Sequence, residues 1–499
     1  MATDTKLTSK QLFNHLFEAC NILRGPINQD EYKNYVTPII FYKRLCDVYD
    51  EETQYALEIS GGDYEFANFP ENHRFVIPEG CHWNDIRART KNICGAIVYA
   101  INRIERANPH TLYGTFSFFD EANWTDKNKL SDERLKDLIE HMSKVNLGNN
   151  SYSSDILGDS YEFLIKKFAD LSKKNAGEFY TPRSIVKLMV KILAPKAGET
   201  VYDPACGTGG MLIEAIRYIH NDKMVYGKIY GQEKNLANSA LAKMNLLLHG
   251  AIDFSVSQGD TLRNPLFLNR GSIAKFDCVI ANPPFSLDNW GEETFANDIY
   301  GRNIWGTPPA SNGDYVWIQH MVCSMARNTG RCAVVLPQGV LFRGNKEYNL
   351  RKEMVESDKL ECIISLANNL FYGATIPACI LIFREKKADD KAGKVLMIDA
   401  SSIYTPKRAQ NVLEENDVEQ IFTLYSNFRD EKEKAKLITL DDIRKKDYIL
   451  TVNQYIEREQ KPNITYEEAK TNFIKAMEDV FAAEEEFYKL LKEYGYIDE

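Results

Sequence analysis

Glu199-Thr200-Val201-Tyr202-Asp203-Pro204-Ala205-Cys206-Gly207-Thr208-Gly209-Gly210-Met211-Leu212-Ile213-Glu214-Ala215-Ile216 is the stretch that decides the fold. Residues 199–202 read as a short strand, 203–210 as a glycine turn, and 211–216 as the start of a helix. A strand, a glycine turn and a helix make the unit that cradles nucleotides in doubly wound sheets. Glycine is required where a ligand approaches the backbone closely. The dinucleotide fingerprint wants a third glycine at position 212, where Leu212 stands, so the turn does not suit a pyrophosphate cofactor. It suits a ligand that joins an adenosine to a charged amino acid, S-adenosylmethionine. Asp203, Pro204, Gly207, Thr208, Gly209 and Gly210 are the residues expected to hold it. No Gly-x-x-x-x-Gly-Lys-Ser/Thr loop occurs anywhere in the chain, so the phosphate loop of an ATP motor is not seen.

Two more strands extend this reading. Residues 228–233 end in Glu233, and 254–260 end in Asp260. Glu233 parallels the acid found about 20 residues beyond a Rossmann glycine turn, which takes ribose hydroxyls. Asp260 is placed to hold an adenine amino group. Read alone, either acid is a solvated loop carboxylate, and only the order of the motifs gives it a role.

The apolar run 276–281 reads as a buried strand and leads into Asn282-Pro283-Pro284-Phe285. The lone pair of an adenine N6 amine is delocalised into its ring. Two oxygen acceptors on its N–H groups help to localise that pair on nitrogen. The Asn282 side-chain carbonyl and the Pro283 backbone carbonyl can serve. Consecutive prolines fix the backbone and donate no N–H, and Phe285 offers a flat face to a base taken out of its helix. By itself Asn-Pro is an ordinary turn starter. Downstream of the glycine turn it makes Asn282, Pro283, Pro284 and Phe285 the expected catalytic residues.

Residues 1–150 read as mainly helical. Leu12, Phe13, Leu16, Phe17, Cys20 and Leu23 form one stripe, closed by Arg24-Gly25,. A second helix is expected over 31–49, kinked or interrupted by Pro38, and a third over 86–107. From about 151 to 405 strands and helices alternate, with helices at 235–248 and 315–327 and strands at 332–336, 360–366 and 378–383. That alternation means a twisted sheet with helices on both faces, and ligands then bind at the carboxyl ends of its strands. The polar stretch between Phe285 and Tyr315, with Trp290, Tyr300, Arg302 and Trp305, reads as a mobile lid or DNA-facing loop, with disorder as the alternative. Residues 406–499 form a C-terminal region. Within it, 465–494 reads as a helix capped by Thr465 and Glu468, with Phe473, Met477, Val480, Phe487, Leu491 and Tyr494 in heptad-like spacing. This is either an amphipathic helix on its own domain or a docking helix for a partner.

The 499 residues carry a net charge of −10, half of it from 461–499, where ten acids face five lysines. Such a chain is not built to grip DNA strongly by itself. The basic clusters Lys166-Lys167, Arg343 with Lys346, and Arg351-Lys352 are candidate phosphate contacts or merely solvated faces. The ten cysteines form no Cys-x-x-Cys pair and read as reduced, mostly buried thiols of a cytoplasmic protein,. The eight histidines show no metal-ligand spacing, so no metal site is expected. No apolar run reaches the roughly 18 residues of a membrane span, and residues 1–6 lack a signal-peptide core.

Taken together, these motifs resemble the methylation subunit of type I restriction-modification systems, an N6-adenine DNA methyltransferase family. Leu23-Arg24-Gly25, Asp30-Glu31-Tyr32-Lys33 and Phe41-Tyr42-Lys43-Arg44-Leu45 look like its N-terminal helical domain. Asp155-Ile156-Leu157-Gly158-Asp159-Ser160-Tyr161-Glu162 looks like the entry to its catalytic domain. Gly177-Glu178-Phe179-Tyr180-Thr181-Pro182-Arg183 looks like its first cofactor motif. The turn at 203–210 and Asn282–Phe285 complete the set, which spans roughly residues 7–400. In the first cofactor motif Thr181 reads as a helix N-cap and Pro182 as the first helical residue, and that helix end would attract a carboxylate. One departure from the family pattern is Cys206. The resemblance implies a Rossmann-like class I methyltransferase sheet with an N-terminal all-helical domain and a C-terminal helical tail. It also implies cofactor contacts by Phe179, Tyr180 and Thr181. Implied partners are a DNA-specificity subunit, a restriction (motor-nuclease) subunit, a second copy of this chain, and double-stranded DNA with a flipped adenine. Protein glutamine methylation, a non-catalytic assembly scaffold, and a stand-alone or nuclease-fused adenine methyltransferase are the alternatives.

Overall fold

A computed structural model describes residues 7–499 apart from 117–123, 125, 128, 153–155, 159, 162, 165–166, 168–180, 221–227, 252, 372–376, 408–409, 457–464, 495 and 498–499. It divides into two units, Met1–Ile456 and Glu457–Glu499.

The first unit opens with helices. α1 (Ser9–Leu23) starts at Thr8, whose hydroxyl accepts the Gln11 N–H in a capping box, and it buries Leu12, Leu16, Ala19, Cys20 and Leu23. α2 spans Tyr32–Ser60 and continues past Pro38, ending only at Gly61 with φ +72°. The expected stop near residue 49 is therefore corrected. Burial of Tyr35, Val36, Ile39, Ile40, Phe41 and Leu45 outweighs the one helical hydrogen bond that a proline removes. α3 is Tyr64–Ala67 and α4 is Trp83–Arg87. The helix expected over 86–107 is split, because α5 (Ile93–Ala107) begins afresh after Asn92, which adopts φ 52°. The Asp132 carboxylate accepts the N–H groups of Asn92 and Ile93 and so satisfies donors left open at that helix start. α6 spans Asp132–Met142.

After α7 (Arg183–Leu193) comes the sheet, beginning with β1 (Val201–Asp203), α8 (Gly210–His220), β2 (Ile229–Glu233), α9 (Leu236–Leu248) and β3 (Phe254–Gln258). The small hairpin β4 (Leu268–Asn269) and β5 (Ser272–Ile273) precedes β6 (Cys278–Ala281), and a short α10 (Glu292–Phe295) leads to α11 (Asp314–Cys323). β7 (Arg331–Pro337), α12 (Lys346–Glu356), β8 (Leu360–Leu366), β9 (Ala378–Arg384) and β10 (Lys394–Ala400) follow. α13 (Glu415–Asn427), β11 (Ala435–Thr439) and α14 (Leu440–Lys445) close the unit.

Nine strands form one sheet in the order β11-β10-β8-β9-β7-β6-β1-β2-β3. β3, β2, β1, β6 and β7 are parallel neighbours, and β9 lies antiparallel between β7 and β8. Order reverses at β1, which has β2 on one side and β6 on the other. The crevice at such a switch point is where doubly wound sheets bind ligands. Alternate residues of each strand serve opposite faces. Ala333 and Val335 of β7 pack with Ile185, Leu188 and Ile213 on one face. Val334 and Leu336 pack with Ile318, Met321 and Leu350 on the other. The helical layer shares its core with α9, through Ala237, Ala240, Leu241, Met244 and Leu248. All ten cysteines are unpaired, and nine are buried. Among the described residues no helix is long and apolar enough to cross a membrane.

The second unit is α15 (Tyr466–Glu493). Thr465 caps it, and the reciprocal bond from Glu468 completes the expected capping box.

Candidate active site

β1 ends at Asp203, and the chain then turns through glycines because the backbone demands it. Gly207 has φ +53° and Gly209 has φ +85°, a region side chains disfavour. The Gly207 N–H donates to Glu233 Oε2 at 3.0 Å, and the Asn235 N–H donates to Glu233 Oε1 at 2.7 Å. Glu233, at the end of β2, thus ties the glycine turn to the start of α9. Gly231 lets β2 approach the turn, since an added Cβ would lie 2.9 Å from Cys206 Sγ. Cys206 therefore fills a fitted space.

Asp203 is buried, and its Oδ1 accepts the Ala205 N–H at 3.0 Å. Burial pushes its carboxyl up to about 8. Burial also raises the Glu233 carboxyl, against the pull of its N–H donors. Asp260 accepts the N–H groups of Leu262 at 3.1 Å and Arg263 at 3.2 Å, and pairs with Lys234 at 2.8 Å.

These groups surround a cavity of about 330 Å³ at the carboxyl ends of β1, β2, β3 and β6. Of the residues expected from sequence, Thr181, Asp203, Pro204, Gly207, Thr208, Gly210, Glu233, Asp260, Asn282 and Pro284 line it. Gly209 instead faces Ala242, 3.4 Å from where its Cβ would be. Pro283 and Phe285 lie beside the cavity's rim in sequence without lining it, and Phe179 and Tyr180 fall outside the described residues. Sequence reasoning missed Arg183, Glu214, Asn245 and Trp317 in the wall. Asn245, buried on α9, donates from Nδ2 to the Thr208 carbonyl at 3.1 Å. Its Oδ1 and the Trp317 indole N–H have no hydrogen-bond partner among the described residues.

Asn282 leaves β6 with its side chain in the same cavity. Its Nδ2 donates to Thr181 Oγ1 at 2.9 Å, while its Oδ1 is buried without a partner among the described residues. An acceptor held dry and unpaired is costly unless a ligand fills it. Phe285 is half-buried and meets Phe371 edge to face, with centroids 6.0 Å apart. Phe371 had no local sequence signal. The next N–H, of Ser286, donates to Asp314 Oδ1 at 2.8 Å, so the turn after Phe285 is pinned to α11.

Several expectations are corrected by this geometry. Pro182, not Thr181, is the N-cap of α7, with ψ 129° and no side-chain cap bond. The Thr181 hydroxyl is turned to Asn282 instead. Arg351 is no phosphate contact: it is buried and donates to the Tyr448 and Arg343 carbonyls. Arg343 pairs with Asp314 and Glu347, and Lys346 with Glu292. Lys167 sits over the Phe163 ring, and Lys166 lies outside the described residues. The 286–313 stretch is ordered, against the disorder alternative. Trp290, Phe295 and Arg302 are buried in it, and the Arg302 guanidinium binds Asp298 and the carbonyls of Thr261 and Leu262.

Comparison with known proteins bears on what such a site does. Residues 152–463 match the family model of N-6 DNA methylases, and residues 12–142 match that of the HsdM N-terminal domain. The methylase subunit of the type I restriction enzyme MjaVII from Methanocaldococcus jannaschii is 32% identical over 481 residues, covering 90% of this chain and 78% of the relative. The HindI methylase subunit from Haemophilus influenzae is 32% identical over 392 residues, covering 74% of this chain and 86% of the relative. The crystal structure of a type I restriction-modification methyltransferase subunit from Streptococcus thermophilus superposes with TM-score 0.77 at 26% identity, covering 90% of this chain and all of that one. The match at 12–142 leaves no support for the glutamine-methylating alternative. With well over half its length matched by the family model, the chain belongs to the N-6 DNA methylases, as a type I restriction-modification methylation subunit that transfers methyl groups to adenine N6 in DNA.

Proposed function

We propose that the cavity binds S-adenosylmethionine and that Asn282-Pro283-Pro284-Phe285 receives the flipped adenine beside it. The observation that carries this reading is the buried, unpartnered Asn282 Oδ1 in the wall of the same cavity as the glycine turn. Fit to the cofactor rests on the backbone and the acids. Cβ atoms added at Gly207 and Gly210 would meet nothing within 4 Å, so bare backbone faces open space. Asp203 is buried with no cation paired to it among the described residues, and a cationic ligand answers that. Asp203, Pro204, Gly207, Thr208, Gly209, Gly210, Glu233 and Asp260 would hold the cofactor, with residues 179–181 bordering it.

When bound, S-adenosylmethionine supplies a methyl group on a positively charged sulfur. Asn282 Oδ1 and the Pro283 carbonyl accept the two N–H groups of the adenine amine and keep its lone pair on nitrogen. Phe285, braced by Phe371, stacks on the base. Flipping costs a few kcal/mol, and stacking returns roughly 1–3 kcal/mol. No general base is assigned, because the product ammonium can lose its proton to water.

The partners follow from the class. A separate DNA-specificity subunit would choose the site, a motor-nuclease subunit would cut, and a second copy of this chain would join the complex on double-stranded DNA. Net charge of −10 fits an enzyme whose phosphate grip comes largely from elsewhere. The chain divides as a helical domain at 1–150, a catalytic domain from 151 and a C-terminal region with α15 as the docking helix, and β11 carries the catalytic sheet past the expected boundary at 405.

Asn282→Ala tests the assignment. Methyl transfer by the assembled complex should disappear while S-adenosylmethionine binding stays close to wild type. Equal loss of both would remove Asn282 from the role of target acceptor.

A further inference from the structure

We propose that the Thr181 hydroxyl is a positioning group for the reaction, which holds the Asn282 amide so that its carbonyl oxygen faces the target amine. The proposal rests on the role given to Asn282 above and names the residue that acts through it.

An asparagine amide is flat, with an acceptor at one end and two donors at the other. Only one end helps here. Turned by half a rotation, the amide would present N–H groups to the adenine amine. Those could bond only to the lone pair that must attack the methyl group. Orientation of Asn282 therefore separates a productive site from an inhibited one.

The structure holds the productive sense. Nδ2 donates to Thr181 Oγ1 at 2.9 Å, and Oδ1 is left buried and unpartnered. A hydroxyl can accept or donate, so the pair alone does not choose. Burial chooses. In the reversed sense the hydroxyl would donate to the amide oxygen and leave the NH2 group buried with open donors, an expensive state. In the observed sense one N–H is satisfied, and the Oδ1 acceptor left over is one that a target N–H fills,. Accepting the Nδ2–H also draws electron density toward Oδ1, since linked hydrogen bonds strengthen one another.

Local chemistry keeps the hydroxyl aimed. Threonine is stiff at χ1 because it branches at Cβ. The residue before a proline is confined to extended backbone, and Pro182 follows. Pro182 is itself the N-cap of α7, so Thr181 directly precedes a helix, and its hydroxyl reaches Asn282 just past the end of β6.

The test uses Thr181→Val, Thr181→Ser and Asn282→Ala in the complete complex with its specificity subunit and cognate DNA. Single-turnover methyl transfer and S-adenosylmethionine affinity are measured for each. Thr181→Val removes the acceptor at nearly constant shape and should slow transfer about tenfold to a hundredfold. Its cofactor affinity should stay within about threefold of wild type, and Thr181→Ser should restore the rate to within about threefold. A Thr181→Val enzyme at wild-type rate would overturn the proposal. So would cofactor affinity falling in step with rate, which would make Thr181 a cofactor contact, or a Thr181→Ser enzyme as slow as the valine variant. Should Asn282→Ala itself retain transfer, the reading of Asn282 fails first. An inactive Asn282→Ala beside a fast Thr181→Val overturns the positioning role alone.

Discussion

Asp203 carries a carboxyl that burial raises to about 8, and this fixes the sign of a pH effect. An acid whose folded value lies above its unfolded one stabilises the protein at low pH, and that contribution is lost as pH rises from about 4 through 8. A cationic ligand favours the ionised form. At pH 7, S-adenosylmethionine binding should therefore release about one proton, and affinity should tighten as pH rises toward 8. Calorimetry in buffers of different ionisation enthalpy reads this directly. Asp203→Asn should release none, and zero release from wild type would mean that Asp203 does not change its protonation on binding. At this scale the sequence was most legible where chemistry demands rare neighbours, as in Asn282-Pro283-Pro284-Phe285 and the glycine turn. Phe371, Asn245 and Trp317 were not legible. Each sits in an ordinary apolar stretch, and only the fold brings Asn245 and Trp317 to the cavity and Phe371 to Phe285. Thr181 was legible as a cofactor-side residue but was misassigned as a cap, because local rules weigh its hydroxyl against neighbouring N–H groups and know nothing of Asn282.

Among the elements, the 286–313 loop holds a buried ion pair beside its buried Trp290 and Phe295. Arg302 and Asp298 form an ion pair with both side chains 2% exposed, and Arg302 also binds the carbonyls of Thr261 and Leu262. Arg302→Met should cost about 3–5 kcal/mol, because it leaves Asp298 buried and unpaired. Denaturant unfolding checks the loss, and proteolysis within 286–313 should rise with it. An unchanged unfolding midpoint would show the pair to be dispensable. Polar composition made this loop look loose, yet its charges are spent on internal bonds. Other elements were readable but less obvious. α6 has Leu135, Leu138, Ile139 and Met142 at helical spacing after the Ser131 cap, and β10 is an apolar run following Gly393. The antiparallel direction of β9 between β7 and β8 has no local signature, since strand direction is decided by connections. Phe41-Tyr42-Lys43-Arg44-Leu45 belongs to structure: Lys43 pairs with Asp47, and Arg44 donates to the Leu147 carbonyl.

Across the whole molecule, alternation of strands and helices was enough to expect the doubly wound sheet, and motif order was enough to expect its ligand crevice. Two regions differ in how they are held. The unit Met1–Ile456 has continuous cores on both sheet faces. In α15, Phe473 is 66% exposed, Val480 63% and Phe487 58%, an apolar row that suits docking to a partner chain. Deleting 457–499 should leave S-adenosylmethionine affinity and thermal stability of the remainder unchanged and abolish assembly with the specificity subunit. Full assembly by the truncated chain would end the docking role. Adenine N6 methylation through Asn282 is read by modified-base sequencing of DNA from cells carrying the wild-type chain or Asn282→Ala. N6-methyladenine should appear at a split, gapped motif with the wild-type chain and be missing there with Asn282→Ala. Methylation persisting at that motif in the variant would contradict it.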